Sequence, residues 1–380
     1  MNPLKDLNEF GQSVWLDFIQ RKLLTGGELK RLVEEDGLKG VTSNPAIFEK
    51  AIADSDDYDD VIARMGGDGS AAPKDVYEAI ATRDIQDAAD VLRPVYDETG
   101  RRDGYVSLEV SPYLAHDTEG TVAEARRLWS TVSRDNLLIK VPGTPEGVPA
   151  IEQLIGEGIS VNVTLLFARE AYEQVAQAYI RGLAKAAADG LDVGRIASVA
   201  SFFISRIDSL VDGTLEKRLE TADEAQKERL RALMGKVAIA NAKLTYKRYK
   251  EIMQGEGWQA LAGKGARPQR LLWASTSTKN PDYPDVLYVD ELIGEDTVNT
   301  IPPATLDAFR DHGKIRKSLE EDVEDAAATM DGLERAGVSM KEITDKLLED
   351  GVRLFSEAFD KLLAAVEEEC RKAADHGQAR

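Results

Sequence analysis

"NLLIKVPGT", residues 136–144, carries one lysine, Lys140, inside a run built from Leu137, Leu138, Ile139 and Val141 and ended by a proline and a glycine. A short apolar run bounded by turn residues reads as a buried strand. A lysine almost never sits fully inside a fold unless it is paired or used. The same layout recurs along the chain. "SVWLD" at 13–17 ends in Asp17, and "GVTSNP" at 40–45 ends in polar groups and a proline. "YVSLEV" at 105–110 carries Glu109, and "ISVNVTLLF" at 159–167 carries Asn162 and Thr164. "RIASVASFFISR" at 195–206 carries Ser201, Ser205 and Arg206. "RLLWASTSTKNP" at 270–281 turns polar after Trp273, and "TVNTIPP" at 297–303 is shortened by Pro302.

Helical patterns lie between most of these runs. Apolar stripes recur at helical spacing in 121–132, 147–157 and 169–189, and 223–252 reads as one long helix. Strand and crossover helix repeated about eight times predict an α/β domain. Polar residues sit at the C-terminal ends of nearly all the strands. An open sheet gathers its site at one switch point, whereas a barrel collects residues from many strand ends around one mouth. No GxGxxG follows the first strand. The fold expected is therefore a (β/α)₈ TIM barrel. Residues 1–380 read as a single domain, with the barrel over about 13–310 and packing helices over 311–380. Ser339 with Glu342 fits a capping box ahead of Ile343, Leu347, Leu348, Phe355, Phe359 and Leu362, which supply apolar anchors. "RMGGDGSAAPK" at 64–74 reads as a loop, and 255–269 as a glycine-rich approach holding a short helix or a lid.

Composition limits the partners. The 380 residues are 43% apolar and 31% charged, with 48 basic against 68 acidic side chains and a net charge of −20. Such a field repels nucleic acid and anionic membrane, so a phosphorylated substrate needs a local basic cluster. No stretch approaches a membrane span, and "MNPLKDLNEFGQSVW" lacks the basic start and apolar core of a signal peptide. Cys370 is the one cysteine, which excludes an intramolecular disulfide and suits a reducing cytoplasm. His116, His312 and His376 form no HExxH or Cys/His pattern, so no protein-built metal site is expected.

The polar strand ends can be read as chemistry. Lys140, buried, would keep more of its amine neutral, the form that attacks a ketone to give a Schiff base. The alternative is a lysine at a strand end with its amine in solvent or paired with an acid. Glu109 suits positioning the water that imine formation and hydrolysis exchange, with Thr164 sharing it; otherwise Glu109 simply pairs with Lys140. Asp17 suits proton transfer to and from a substrate hydroxyl, or is a loop-start cap. Asn44 and Asn162 suit substrate hydroxyls, or are a turn amide and a satisfied buried amide. Arg206 suits a phosphate, with Ser201 adding a hydroxyl, or pairs with Asp208. Ser275, Ser277 and Lys279 form a second polar strand end, or a turn before Pro281. For every bland reading to hold, seven strands would have to carry these groups at one sheet end by accident.

Taken together, "WLD", "GVTSNPAIFEKAI", "SLEVSP", "NLLIKVPGTPEG", "ISVNVTLLF" and "ASFFISRID" resemble the transaldolase family in type and order over roughly 13–310. The length and "TSNPAIFEKAI" resemble its longer bacterial branch. The resemblance implies transfer of a dihydroxyacetone unit from sedoheptulose 7-phosphate or fructose 6-phosphate to an aldose phosphate, within the pentose phosphate pathway. It implies Lys140 as the Schiff-base lysine, Asp17 as the acid/base group, and Glu109 with Thr164 as the water-handling pair. It implies Asn44 and Asn162 at the dihydroxyacetone hydroxyls, and Ser201 with Arg206 at the phosphate. Many family members carry a serine and an arginine two apart after the seventh strand. Here Ser275 is followed at that offset by Ser277, and the nearest basic residue is Lys279. No cofactor or metal is expected, the partners expected are sugar phosphates, and the chain is expected as a monomer or homodimer. The competing readings are an aldolase that releases free dihydroxyacetone and a non-catalytic sugar-phosphate-binding barrel.

Overall fold

In the computed structural model, which describes residues 2–66 and 71–378, eight parallel strands close into a barrel in sequence order. They are β1 (Gln12–Asp17), β2 (Gly40–Thr42), β3 (Tyr105–Glu109), β4 (Leu137–Pro142), β5 (Val161–Leu166), β6 (Ser198–Phe203), β7 (Arg270–Ala274) and β8 (Thr297–Ile301). Each sits inside one of the expected runs except β1, which begins one residue ahead of its run, at Gln12. β1 pairs with β8, Ser13 opposite Val298 and Leu16 opposite Ile301, so the sheet has no free edge. The register brings Glu109 beside Lys140 and Lys140 beside Asn162. These three side chains share a level because parallel neighbours in register point to the same face.

Two backbone features shape the barrel. Trp15 stands opposite Gly40, and a Cβ on Gly40 would come within 2.5 Å of the indole. Only glycine lets that buried ring lie flat on β2. Gly40→Ala should therefore destabilise the protein by about 1–3 kcal/mol, read as a lower urea midpoint with unchanged slope. In β5 the pairing with β6 shifts between Val163 and Leu166, and Leu165 takes φ 61°. A bulge there turns the chain after Thr164 and sends Leu165 outward, where it meets Gly351.

The end of the barrel where the strands begin is closed by a buried ion pair. Arg270 Nη2 lies 2.8 Å from Asp103 Oδ1. Asp103 also accepts from Ser13 Oγ at 2.8 Å and from Trp15 Nε1 at 3.2 Å. Arg270 donates further to Ser13 Oγ and to the Arg102 carbonyl. The pairing with Arg270 and these hydrogen bonds outweigh burial and hold the Asp103 carboxyl below its usual range.

Outside the barrel, the helices Thr118–Val132, Gly147–Gly156 and Arg169–Ala188 match the expected stripes. The expected long helix over 223–252 is two, Glu224–Arg231 and Val237–Gln254. Gly235 at φ 69° breaks it; apolar periodicity persisted across a turn that the backbone does not continue. The expected loop at 64–74 is shorter. Residues 64–66 end one helix and Pro73 starts another, while 67–70 lie outside the described residues. The segment 255–269 holds the short helix Glu256–Ala262, with Trp258 stacked on Tyr179 at 6.5 Å. It feeds the start of β7, the end of the barrel opposite the polar strand ends, so it is not a lid over them.

The last helix, Met340–Gln378, opens on Ser339, whose Oγ accepts from Glu342 N at 3.3 Å. Ile343, Leu347, Phe355, Phe359 and Leu362 are buried and Leu348 is half-buried. Phe359 meets Tyr77 at 5.7 Å and Tyr113 at 5.5 Å, both edge-on, and Tyr77 meets Phe48. This aromatic row anchors the helix across the rim where the strands end.

Candidate active site

At that rim a cavity of about 190 Å³ is lined by Asp17, Thr42, Asn44, Lys140, Thr164, Ser201, Arg206, Ser275, Ser277, Lys279 and Thr300, among others. Nine of the residues singled out in the sequence thus share one space. Glu109 and Asn162 do not line it; they stand behind Lys140 and Ser201.

Lys140 is 5% exposed and Glu109 8%. Lys140 Nζ lies 3.2 Å from Glu109 Oε2 and donates to the Ser43 carbonyl at 3.1 Å. The approach to Glu109 is a charge contact, for neither Glu109 oxygen has an aligned hydrogen-bond partner among the described residues. Thr164 Oγ1 is likewise buried without one. Buried oxygens in that state suit a bound water. Burial raises the Glu109 carboxyl; Lys140 opposes that shift and Asp17 adds to it. Phe355 of the last helix places its ring 5.6 Å from Lys140 Nζ, covering the amine from the solvent side.

Asp17, half-buried at the end of β1, accepts from Thr42 Oγ1 at 2.8 Å, and Thr42 meets Thr300 Oγ1 at 2.6 Å. Burial raises its pKa, opposed by Lys140, by the Thr42 hydrogen bond and by Lys279. Asn44 caps the helix Pro45–Ala53, its Oδ1 accepting from Ile47 N at 3.0 Å. The cap fixes the amide and leaves its N–H groups for a ligand. Ser201 Oγ donates to Asn162 Oδ1 at 2.7 Å, and Asn162 Nδ2 donates to Ser107 Oγ at 3.0 Å. Ser201 is thus bonded into the Asn162 row beside Lys140.

The cationic side of the cavity is made by Arg206 and Lys279. Arg206 opens the helix Ser205–Leu219, its guanidinium 5.4 Å from the Phe203 ring. No acid pairs with it among the described residues, and burial lowers its pKa. Lys279 Nζ donates to Ser277 Oγ at 2.8 Å, and its pKa is lowered by burial and then by Arg206. Ser275, at φ 56°, meets Ser205 Oγ at 2.9 Å and joins the two strand ends. Two cations and a helix N-terminus make a seat for an anion.

Asp208 does not pair with Arg206. It accepts from Ala238 N at 2.7 Å and from Tyr288 Oη at 2.9 Å. Burial pushes its carboxyl from 3.8 up to about 7. The folded chain then holds a proton that the unfolded chain releases, so this group's contribution to stability falls as pH rises from 3.8 to about 7. Asp208→Asn keeps the bond from Ala238 N at its Oδ1, turns the Tyr288 bond round so that Nδ2 donates to the phenol oxygen, and removes the titration. Its urea midpoint should lose that part of the pH dependence and exceed the parent's at pH about 8.

Other titratable groups stand apart. His116 pairs with Glu146, and His312 with Asp285 and Asp311, all at the surface. The Cys370 sulfur packs against Gly66, and burial pushes its thiol up. His376 has no described side chain. Among the described residues no group of three His, Cys, Asp or Glu side chains could hold a metal, and no helix is long and apolar enough to cross a membrane.

Sequence reasoning missed Thr42, Thr300, Phe203 and Phe355 as walls of the cavity. Thr42 was within reach of it, lying in the same "GVTSNP" run as Asn44.

Comparisons with known proteins agree on one group. The family described as Transaldolase/Fructose-6-phosphate aldolase matches residues 14–366. A protein of Trichodesmium erythraeum named Transaldolase is 49% identical over 374 residues, 98% of each chain. One of Thiobacillus denitrificans, named Transaldolase, is 50% identical over 96% of this chain and 100% of its own. Another of that name from Thermobifida fusca is 49% identical, covering 96% of this chain and 97% of its own.

Proposed function

Because this chain belongs to the transaldolase/fructose-6-phosphate aldolase family and transfers a dihydroxyacetone unit from a ketose phosphate to an aldose phosphate, we infer that Lys140 is its Schiff-base nucleophile. The observation that carries this reading is a buried Lys140, backed by Glu109, opening into a cavity whose rim holds Arg206 and Lys279.

Lys140 Nζ attacks C2 of the ketose. The carbinolamine loses water to give an iminium, and Glu109 with Thr164 holds that water and later returns it. Asp17 takes the C4 hydroxyl proton. The C3–C4 bond breaks, its electrons flow into the iminium, and the aldose phosphate leaves. The enamine then attacks the acceptor aldehyde, Asp17 returns the proton, and hydrolysis frees Lys140. Burial raises the carboxyls of Asp17 and Glu109, which suits groups that exchange protons during the reaction. The iminium is the electron sink.

Asn44 holds the dihydroxyacetone hydroxyls from the cavity wall, and Asn162 acts on them through Ser201, whose hydroxyl donates to it. Arg206, Ser277 and Lys279 bind the phosphate, with Ser275 setting the turn. Lys279 supplies charge without a rigid fork. Lys279→Gln should raise KM for the sugar phosphate by roughly tenfold with a smaller change in kcat. An unchanged KM would remove Lys279 from the phosphate site. We read residues 1–380 as one domain working in the cytoplasm, the lone Cys370 suiting a reducing compartment.

The assay that tests the reaction compares release of glyceraldehyde 3-phosphate from fructose 6-phosphate with and without erythrose 4-phosphate. Sustained release that requires the acceptor is the expected result. Equal release without it would make the chain an aldolase.

A further inference from the structure

At the opposite end of the barrel from Lys140, a second cavity of about 50 Å³ is lined by four arginines, Arg101, Arg102, Arg267 and Arg270. Its remaining walls come mostly from Tyr105 and short apolar side chains. Both hydroxyls of the lining are spent: Ser198 donates to the Val161 carbonyl and accepts from Gln269, and Tyr105 donates to the Arg101 carbonyl. Among the described residues no carboxylate lines the cavity.

The charges do not balance. Arg270 is paired with Asp103 and Arg102 with Asp296 at 2.8 Å. Among the described residues Arg267 donates only to the carbonyls of Gly194 and Gly100. Arg101 has no side-chain partner among the described residues. Four guanidiniums against two carboxylates leave a surplus of two positive charges around one small space. This happens in a chain where acids outnumber bases, 68 to 48. The backbone holds Arg101 there in the left-handed region, at φ 72°, with its carbonyl tied to Tyr105 Oη at 2.8 Å. A non-glycine residue in that conformation is uncommon.

We propose that this cavity is an anion site for a tetrahedral dianion, inorganic phosphate or the phosphate end of a phosphomonoester. Guanidiniums match such oxygens through paired N–H donors. The volume exceeds the minimum for one water and admits one small oxyanion, leaving the body of any ester outside. The site lies at the barrel face that governs stability, away from the reacting groups. Its occupant stabilises the fold by mass action and does not enter the transfer reaction.

The test is calorimetric titration of inorganic phosphate into full-length protein, in parallel with thermal unfolding. Arg206→Gln/Lys279→Gln removes the cationic side of the catalytic cavity, so phosphate bound by that variant reports the second site. Binding and stabilisation should persist there and weaken by roughly tenfold or more when Arg101→Gln is added. Arg101→Lys should restore part of the affinity. Arg101→Gln alone, whose side chain touches no partner, should keep full transaldolase turnover. Glycerol 3-phosphate run in parallel separates the sources: tighter binding than phosphate names an ester, and equal or weaker binding names the free ion. Loss of all phosphate binding in Arg206→Gln/Lys279→Gln, or affinity untouched by Arg101→Gln, would overturn the proposal.

Discussion

Lys140→Met should lower transaldolase turnover by roughly 10⁴-fold or more, because no other side chain on the cavity surface offers a buried amine to form the imine. Methionine keeps the stem's volume and its contact with Phe355. Glu109, left buried without its cation, becomes neutral rather than charged, so the fold survives while the nucleophile is gone. Borohydride reduction in the presence of fructose 6-phosphate provides the positive half of the experiment. One dihydroxyacetone-derived mass should appear on Lys140, found by peptide mapping. Lys279 is the control, since it reaches the same cavity from the exposed rim. Label on Lys279, or near-full activity in Lys140→Met, would refute the assignment.

The second large effect is on stability. Asp103→Ala should cost about 3–5 kcal/mol, because it leaves Arg270 charged and buried in the barrel floor. Only Ser13 and the Arg102 carbonyl would still hold that guanidinium. The loss should be read as a lower urea midpoint at neutral pH. It also has a defined pH signature. The folded Asp103 carboxyl is depressed, so its contribution is present above the unfolded value of 3.8 and fades as pH falls through the lower folded value. The difference between parent and Asp103→Ala should therefore narrow in strong acid. Asp103→Leu combined with Arg270→Met should recover much of the loss, since a well-packed apolar pair removes both desolvation costs. No recovery in the double variant would point to the hydrogen bonds of Ser13 and Trp15 as the dominant contribution.

The two ends of this barrel differed in how far they could be read from the sequence. The catalytic end was legible because each strand carries its polar residue locally, next to an apolar run that fixes where it sits. Lys140 in "NLLIKVPGT" and Asn162 in "ISVNVTLLF" are of this kind. The floor was not legible. Asp103 and Arg270 are far apart in sequence, and an arginine opening "RLLWA" reads locally as the polar start of a strand. The pairing exists only once the barrel closes. Phe355 was visible as an apolar anchor, but its seat over Lys140 depends on how the last helix crosses the rim. The break at Gly235 was hidden because apolar residues continue at helical spacing on both sides of it. Ser201, read beside Arg206 from the sequence, shares the cavity with it, but the bond of its hydroxyl to Asn162 on the neighbouring strand appears only in the folded barrel.

The pairing of β1 with β8 also has a consequence for how the protein is made. At roughly 5–20 residues per second, roughly 15 to 60 s of translation separate the two strands. Through that interval β1 has no partner on one side, and the nascent sheet presents an open edge to other chains on the ribosome. Phe355 is synthesised later still, after every strand. Once Thr297–Ile301 has emerged from the ribosome the barrel can close, yet Lys140 remains uncovered until the final helix emerges and docks.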